Sequence, residues 1–364
     1  MKWLSDRIVQ RLREEVDLPD LSSTKYRLIQ KLDSGGMGAI YLAEDMDLDR
    51  RVALKVMHAD PSAELAQRML REARIVAQLE HPAIVPIHDV GRLPDGRVFY
   101  TMKYIQGRRL DRVERDKNPL PDLLRIFQKV CEAVAFAHAH GVIHRDLKPA
   151  NIMVGAFGEV LVMDWGIAKV LHEPNQAQRI LEESLATNTI EKQSLLSSLV
   201  DAQLDSVAET AHGTVMGTPS YMAPEQALGQ TNQLDERTDM YALGAILYFL
   251  LCGRPPSESL ELTEPGQTFA GQTRQALRQA DTRIPRSIEA VCLKAMAKDP
   301  SHRYLNVDAL GTDVGRFLDN LPVSAHRESL YEQAERWLAR NHFLVFLIAA
   351  YLLMRIFLLL VSGR

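Results

Sequence analysis

"HRDLKPANIMVGAFGEVLVMDWG", residues 144–166, decides how this chain is read. Ile152 to Val154 and Val160 to Met163 are two apolar runs of strand length joined by a glycine-containing turn. The chain therefore doubles back, and Asn151, just before the first run, comes to lie beside Asp164, just after the second. Two oxygen ligands so placed suit a hard cation such as Mg²⁺, or Mn²⁺, completed by phosphate oxygens and water rather than by a full protein cage. Asp146 precedes Asn151 on a loop that Pro149 keeps from becoming helix, which leaves its carboxylate able to orient an attacking hydroxyl and accept its proton. Lys148 can neutralise a phosphoryl group in flight. A hairpin with polar ends would explain a lone Asp or Asn, but not the entire string.

Working outward, residues 26 to 104 are strand-rich. "YRLIQKL", "AIYLAED" and "RVALKVM" alternate apolar and polar positions, and a helical stretch from Pro61 to Leu79 interrupts them. Asp60 is a suitable N-cap and Pro61 a suitable first helical residue; Leu65, Met69, Ala73 and Val76 define an inward stripe, with Glu72 beside it. From Asp122 onward helical runs dominate, including "LLRIFQKVCEAVAFAHAH" and "MYALGAILYFLL". The expected fold is α+β: a small β-rich lobe carrying one helix, over about 25–104, and a larger helical lobe over about 105–318. Residues 172–210, rich in Ser, Thr, Gln, Glu and Asn, are expected to be a mobile insertion.

With 43 basic and 47 acidic residues and a net charge of −4, charge alone announces no nucleic-acid partner. The three cysteines offer no CxxC pair and suit a reducing compartment. Residues 1–24 form an extension in which Trp3, Leu4, Ile8, Leu12 and Val16 recur at helical spacing, the pattern of an amphipathic helix docked on the protein. At the other end, residues 343–361 are apolar apart from Arg355 and long enough for one bilayer crossing, preceded by a juxtamembrane stretch over 319–342. Arg336, Trp337 and Arg340 stand where interfacial anchors and cytoplasmic positive charge are expected. The expected location is a cell membrane crossed once, with the catalytic part cytoplasmic. Arg355, mid-span, would need shelter from self-association or a transmembrane partner.

The central string, together with "VALK", resembles the eukaryotic-type (Hanks-type) serine/threonine protein kinases, especially their bacterial members with a membrane span. That resemblance implies ATP and Mg²⁺ as cofactors and protein substrates. It implies that Lys55 holds the α and β phosphates, that Glu72 is its ion-pair partner, that Asp146 is the catalytic carboxylate with Lys148 beside it, and that Asn151 and Asp164 hold the metal. Around the nucleotide it places Leu32, Asp33, Gly35, Gly36 and Gly38 in the phosphate-covering loop, Ile40 and Ala53 above the adenine, Met153 below it, Met102 at the back, and Tyr104 and Ile105 at the hinge. In "GTPSYMAPE" it implies that Thr218 lies near Asp146 and that Glu225 pairs with Arg303, while Asp239 braces the catalytic loop. Arg145 resembles a receptor for a phosphorylated activation segment, with Thr210 and Thr214 as acceptors.

Two departures matter. Asp33 stands where the family has the first loop glycine, and Trp165 replaces the usual Phe after the metal-binding Asp. They motivate the competing reading, a pseudokinase or nucleotide-binding scaffold with little turnover. A small-molecule phosphotransferase is disfavoured, because "GTPSYMAPE" implies a shelf for a peptide.

Overall fold

The structure, a computed structural model, describes residues 18–35, 38–58, 63–165, 169–170, 219–229, 234–256, 273, 277–279, 281 and 284–362. The segment before residue 18, Gly36, Asp60 and Pro61, the 172–210 insertion, and Thr210, Thr214 and Thr218 lie outside these.

Five strands, β1 (Tyr26–Gly35), β2 (Gly38–Asp45), β3 (Arg50–Val56), β4 (Ile87–Arg92) and β5 (Val98–Lys103), make an antiparallel sheet in the order β1-β2-β3-β5-β4. Period-2 alternation gives it two faces. Ala53, Tyr100 and Met102 join the main core, whereas Tyr41, Leu54, Val56 and Phe99 close a smaller core with Leu21 on the outer face. Helix α1 (Ala63–Gln78) lays Ala66, Met69, Ala73 and Val76 against the inner face, so Glu72 enters the interior beside that stripe. At the close of the glycine loop, a Cβ on Gly38 would sit 2.2 Å from the Val56 carbonyl oxygen, an approach that only glycine permits.

After the short strand β6 (Gly107–Arg109), helix α2 (Leu120–Ala139) starts on Pro119 and buries Leu124, Phe127, Cys131 and Val134 along one face. Strand β7 (Val142–Ile143) leads into the loop that carries Asp146, and β8 (Ile152–Gly155) pairs with β9 (Val160–Val162) as the expected hairpin. Strand β10 (Lys169–Val170) returns to β7. Beyond the short helix α3 (Pro224–Ala227), α4 (Glu236–Cys252) is apolar on all sides and buried almost throughout, as a helix at the centre of a helical lobe must be. It is capped by Asp235, whose side chain accepts from Arg237 N, and stopped by Gly253 at φ 75°. Helices α5 (Arg286–Ala295) and α6 (Val307–Leu318) complete the lobe. One continuous core runs from Ala53 in the sheet to Val314 in α6.

Past α6 the chain does not leave freely. The buried Asp313 carboxylate accepts from Tyr304 OH at 2.8 Å, Ser324 N at 2.8 Å, Ser324 Oγ at 2.7 Å and Ala325 N at 3.1 Å. Helix α7 (Leu330–Arg340) then opens on a capping box between Ser329 and Glu332, and α8 (His342–Ser362) follows directly. The large apolar side chains of α8, Phe343, Phe346, Ile348, Leu352 and Leu353 among them, are exposed around the helix. Among the described residues no helix is long and apolar enough to cross a membrane. The chain is thus helical over 342–362, but the crossing expected at 343–361 is not a structural finding, and the α8 side chains past Arg355 lie outside the described ones.

Candidate active site

Lys55 extends from β3 into the space between the sheet and the hairpin. Its Nζ donates to Glu72 Oε1 at 3.0 Å and to Asp164 Oδ1 at 3.1 Å. Tyr100, on the adjacent strand, donates its hydroxyl to the same Glu72 oxygen at 2.8 Å. Burial alone would lower the Lys55 ammonium, but Tyr100, Glu72 and Asp164 around it outweigh burial and hold it well above the ordinary lysine value. Burial likewise pushes Asp164 up and the nearby Lys55 more than reverses it, so its carboxyl lies below the ordinary value. Both groups are therefore charged at neutral pH. The Asp164 side chain is nevertheless 48% exposed, open to a ligand.

The hairpin register brings Asn151 alongside, since Met163 N donates to Asn151 O at 2.8 Å and so places Asn151 next to Asp164. Asn151 Nδ2 donates to the Asp146 backbone oxygen at 2.9 Å and to Asp146 Oδ2 at 3.3 Å. With its amide hydrogens turned to Asp146, Asn151 has its oxygen to offer a cation. Lys148 Nζ sits 2.8 Å from Asp146 Oδ2. Among the described residues no group of three or more His, Cys, Asp or Glu could hold a metal unaided. One carboxylate and one amide oxygen fit a hard cation that shares its shell with phosphate and water.

The loop that carries Asp146 is strained and over-held. Arg145 has φ 68° and Asp164 φ 58°, left-handed conformations that cost a side-chain-bearing residue about 1–2 kcal/mol each. Asp239, in the first turn of α4, accepts from His144 N at 2.7 Å and Arg145 N at 2.8 Å, and from His138 Nε2 at 2.8 Å. Gln226 Nε2 donates to Arg145 O at 2.7 Å. His144 Nδ1 accepts from Asp146 N, so its Nε2–H donates to Met163 O at 3.0 Å; that ring packs on the buried Trp165, with centroids 4.5 Å apart. The indole nitrogen of Trp165 is buried and makes no hydrogen bond among the described residues.

Burial favours a neutral Asp239, but the His138 hydrogen bond and the neighbouring His144 outweigh it and hold the carboxyl below 3.8. A carboxyl lower in the folded than in the unfolded chain stabilises fully above the unfolded value, about 3.9, and loses that contribution as pH falls through its folded value. In thermal melts, Asp239→Asn should be markedly less stable than wild type at pH 7, and the gap should close below about pH 4. A gap independent of pH would show that the charge on Asp239 is not what holds the loop.

The residues implied for the adenine lie on the sheet, on the hairpin and at the turn out of β5. Ala53 and Met102 are register partners on the inner sheet face, Ile40 is opposite Lys55, and Met153 lies in β8; Ile105 is buried and Tyr104 half-buried at the turn out of β5. Leu32, at a bulge in β1, and Gly35 are exposed, with the Gly35 carbonyl accepting from His58 Nε2 at 2.7 Å. Asp33 keeps an ordinary backbone conformation, so the missing glycine leaves no strain. Farther out, Arg303 forks onto Glu225 with Nη1–Oε1 at 2.7 Å and Nη2–Oε2 at 2.8 Å, both side chains almost fully buried. Burial lowers the Arg145 guanidinium from its ordinary value, and its Nε has no partner among the described residues.

A family profile described as "Protein kinase domain" matches residues 26–313, most of the chain. The chain belongs to the protein kinase family. Relatives of the kinase domain include proteins named "Serine/threonine-protein kinase PknD" from Protochlamydia amoebophila, Chlamydia muridarum and Chlamydia trachomatis. The first is 34% identical over 84% of this chain, the second 38% over 79% and the third 36% over 82%. The chain spans about a third of the length of these relatives, 31 to 32%. Within the kinase domain, three contributors escaped sequence reasoning: Tyr100, Gln226 and His138. The inward alternation of "VFYTMK" could have found Tyr100; nothing local marks the other two.

Proposed function

We propose that the chain is a serine/threonine protein kinase that transfers the γ-phosphoryl group of Mg-ATP to Ser or Thr hydroxyls of proteins. The observation that carries this reading is the convergence of Lys55, Glu72 and Asp164 with the linked Asn151, Asp146 and Lys148. Lys55, fixed by Glu72 and Tyr100, orients and neutralises the nonreacting phosphates. Asp164 and Asn151 would hold the divalent ion, which when bound supplies charge neutralisation for phosphate oxygens. Asp146 Oδ2 orients the acceptor hydroxyl and takes its proton, and Lys148, 2.8 Å away, is placed to meet charge on the transferred group. The names of the relatives favour Ser and Thr as acceptors. Autophosphorylation at Thr210 or Thr214, received by Arg145, belongs to the same proposal. The pseudokinase alternative rests on Asp33 and Trp165, neither of which removes a polar catalytic group.

The second part of the proposal concerns location. Among the described side chains of helix α8, Phe343, Phe346, Ile348, Tyr351, Leu352 and Leu353 are exposed, the property of a helix that faces lipid, and we propose that it anchors the domain at the cytoplasmic face of a membrane. Self-association or a membrane partner would shelter the exposed Arg355. One preparation tests both parts. Membranes from cells producing the chain, given radiolabelled ATP, should yield phosphoserine or phosphothreonine, and an Asp164→Ala chain should yield neither. Alkaline extraction should leave the chain in the pellet. Equal labelling by the variant would end the kinase reading, and release into the supernatant the anchor.

A further inference from the structure

The rim of the cleft carries a pair of charges that the catalytic groups do not use. Asp33 is the register partner of Ile40, and Ile40 of Lys55, so its side chain leaves the sheet on the side that faces the cleft. Across the opening, Arg109 is the register partner of Met153 in the hairpin floor. Arg109 Nη1 stands 3.7 Å from Asp33 Oδ2. The guanidinium does not reach there by chance of rotamer. Its Nε donates to Asp111 Oδ1 at 3.1 Å and its Nη2 to Asp111 Oδ2, which commits two nitrogens and aims the third at Asp33.

Sheet and hairpin are thus joined by charge at two depths: inside, where Lys55 meets Asp164, and at the rim, where Asp33 meets Arg109. A ligand whose phosphates lie at the inner junction has to pass the outer one to leave. An aspartate placed alone at such a mouth would repel a polyphosphate; Arg109 opposite, shared with Asp111, offsets part of that charge and ties the roof strand to the floor. We propose that Asp33 and Arg109 are positioning residues that clasp the nucleotide cleft at its rim and slow the departure of a bound nucleoside polyphosphate. This rests on the kinase reading of the cleft. It also gives the substitution at the first loop glycine a use, since the backbone there has no need of glycine.

The pair is partly exposed, 61% for Asp33 and 32% for Arg109, so its effect is a modest one that salt weakens. The test follows release of Mg²⁺ and N-methylanthraniloyl-ADP from the full chain, chased with unlabelled ATP, for wild type, Asp33→Asn, Arg109→Gln and the double variant. Each single variant should release the nucleotide about threefold faster and raise KM for ATP by a similar factor. The double variant should be no faster than either single one, and all differences should shrink between about 0.05 M and about 0.5 M salt. Slower release by Asp33→Asn would mean that its carboxylate merely repels phosphate. An Arg109→Gln effect that persists in the Asp33→Asn background would mean that Arg109 acts on the nucleotide alone. Either result, or no change in any variant, overturns the clasp. A wild-type chain that binds no nucleotide overturns the kinase reading and the clasp with it; binding without coupling between the two residues overturns the clasp only.

Discussion

An Asp146→Asn chain should transfer phosphate about 10²–10⁴-fold more slowly than wild type while binding nucleotide with nearly unchanged affinity. The Asp146 carboxylate oxygen Oδ2 faces two donors, Lys148 Nζ and Asn151 Nδ2. An amide at this position cannot take a proton from an acceptor hydroxyl, and its NH₂ group, if turned inward, would oppose those donors. The proposed nucleotide clamp is built elsewhere, on Lys55, Glu72, Tyr100 and Asp164, and shares no hydrogen bond with Asp146 among those described. The loss should therefore fall on kcat, with KM for ATP and nucleotide affinity preserved within a few-fold. Steady-state kinetics on a peptide acceptor, with nucleotide titration alongside, reads the split. An unchanged kcat would remove Asp146 as the base; an affinity loss as large as the rate loss would show that the substitution had disturbed the cleft itself.

The largest effect on stability should come from Glu225→Gln. Both carboxylate oxygens of Glu225 are bonded to Arg303, whose side chain has no solvent exposure. Neutralising the carboxylate leaves a guanidinium in the interior without its counter-charge, and breaking a buried pair this way costs about 3–5 kcal/mol. Domains of ordinary stability have about 5–15 kcal/mol in total, so the variant should unfold at a much lower urea concentration, with an unchanged slope if the transition stays two-state. Removing Arg303 as well would restore only part of the loss. Its guanidinium also donates to the carbonyl oxygens of Arg237 at 2.6 Å and Ala297 at 2.8 Å, and both bonds would be lost. A loss below about 1 kcal/mol would place the pair among solvent-screened ones.

Much of this site could be read from the sequence because its parts are close in the chain or patterned by period. Asn151 and Asp164 are brought together by one hairpin, and Glu72 is placed by the apolar stripe of its own helix. Other parts depend on contacts that no local pattern encodes. Gln226 reaches Arg145 and His138 reaches Asp239 across long stretches of chain, and each looks like an ordinary helix residue in its own neighbourhood. Asp33 was legible as a departure but not as half of a pair, because its partner follows from how the sheet closes over the hairpin. The two-faced sheet was visible in the alternation of strands, whereas the cover that Leu21 gives its outer face was not.

The four hydrogen bonds that Asp313 receives fix where the chain leaves the helical lobe. From Ala325 to the start of α7 at Leu330 only a short run of backbone remains, with a fully extended reach of at most ~18 Å. For anything attached to α7 or α8, the cleft therefore swings on a short leash rather than roaming on a long tether. Acceptors held near the same attachment point would meet it at a high local concentration, and those farther away than the leash allows would be met by diffusion alone.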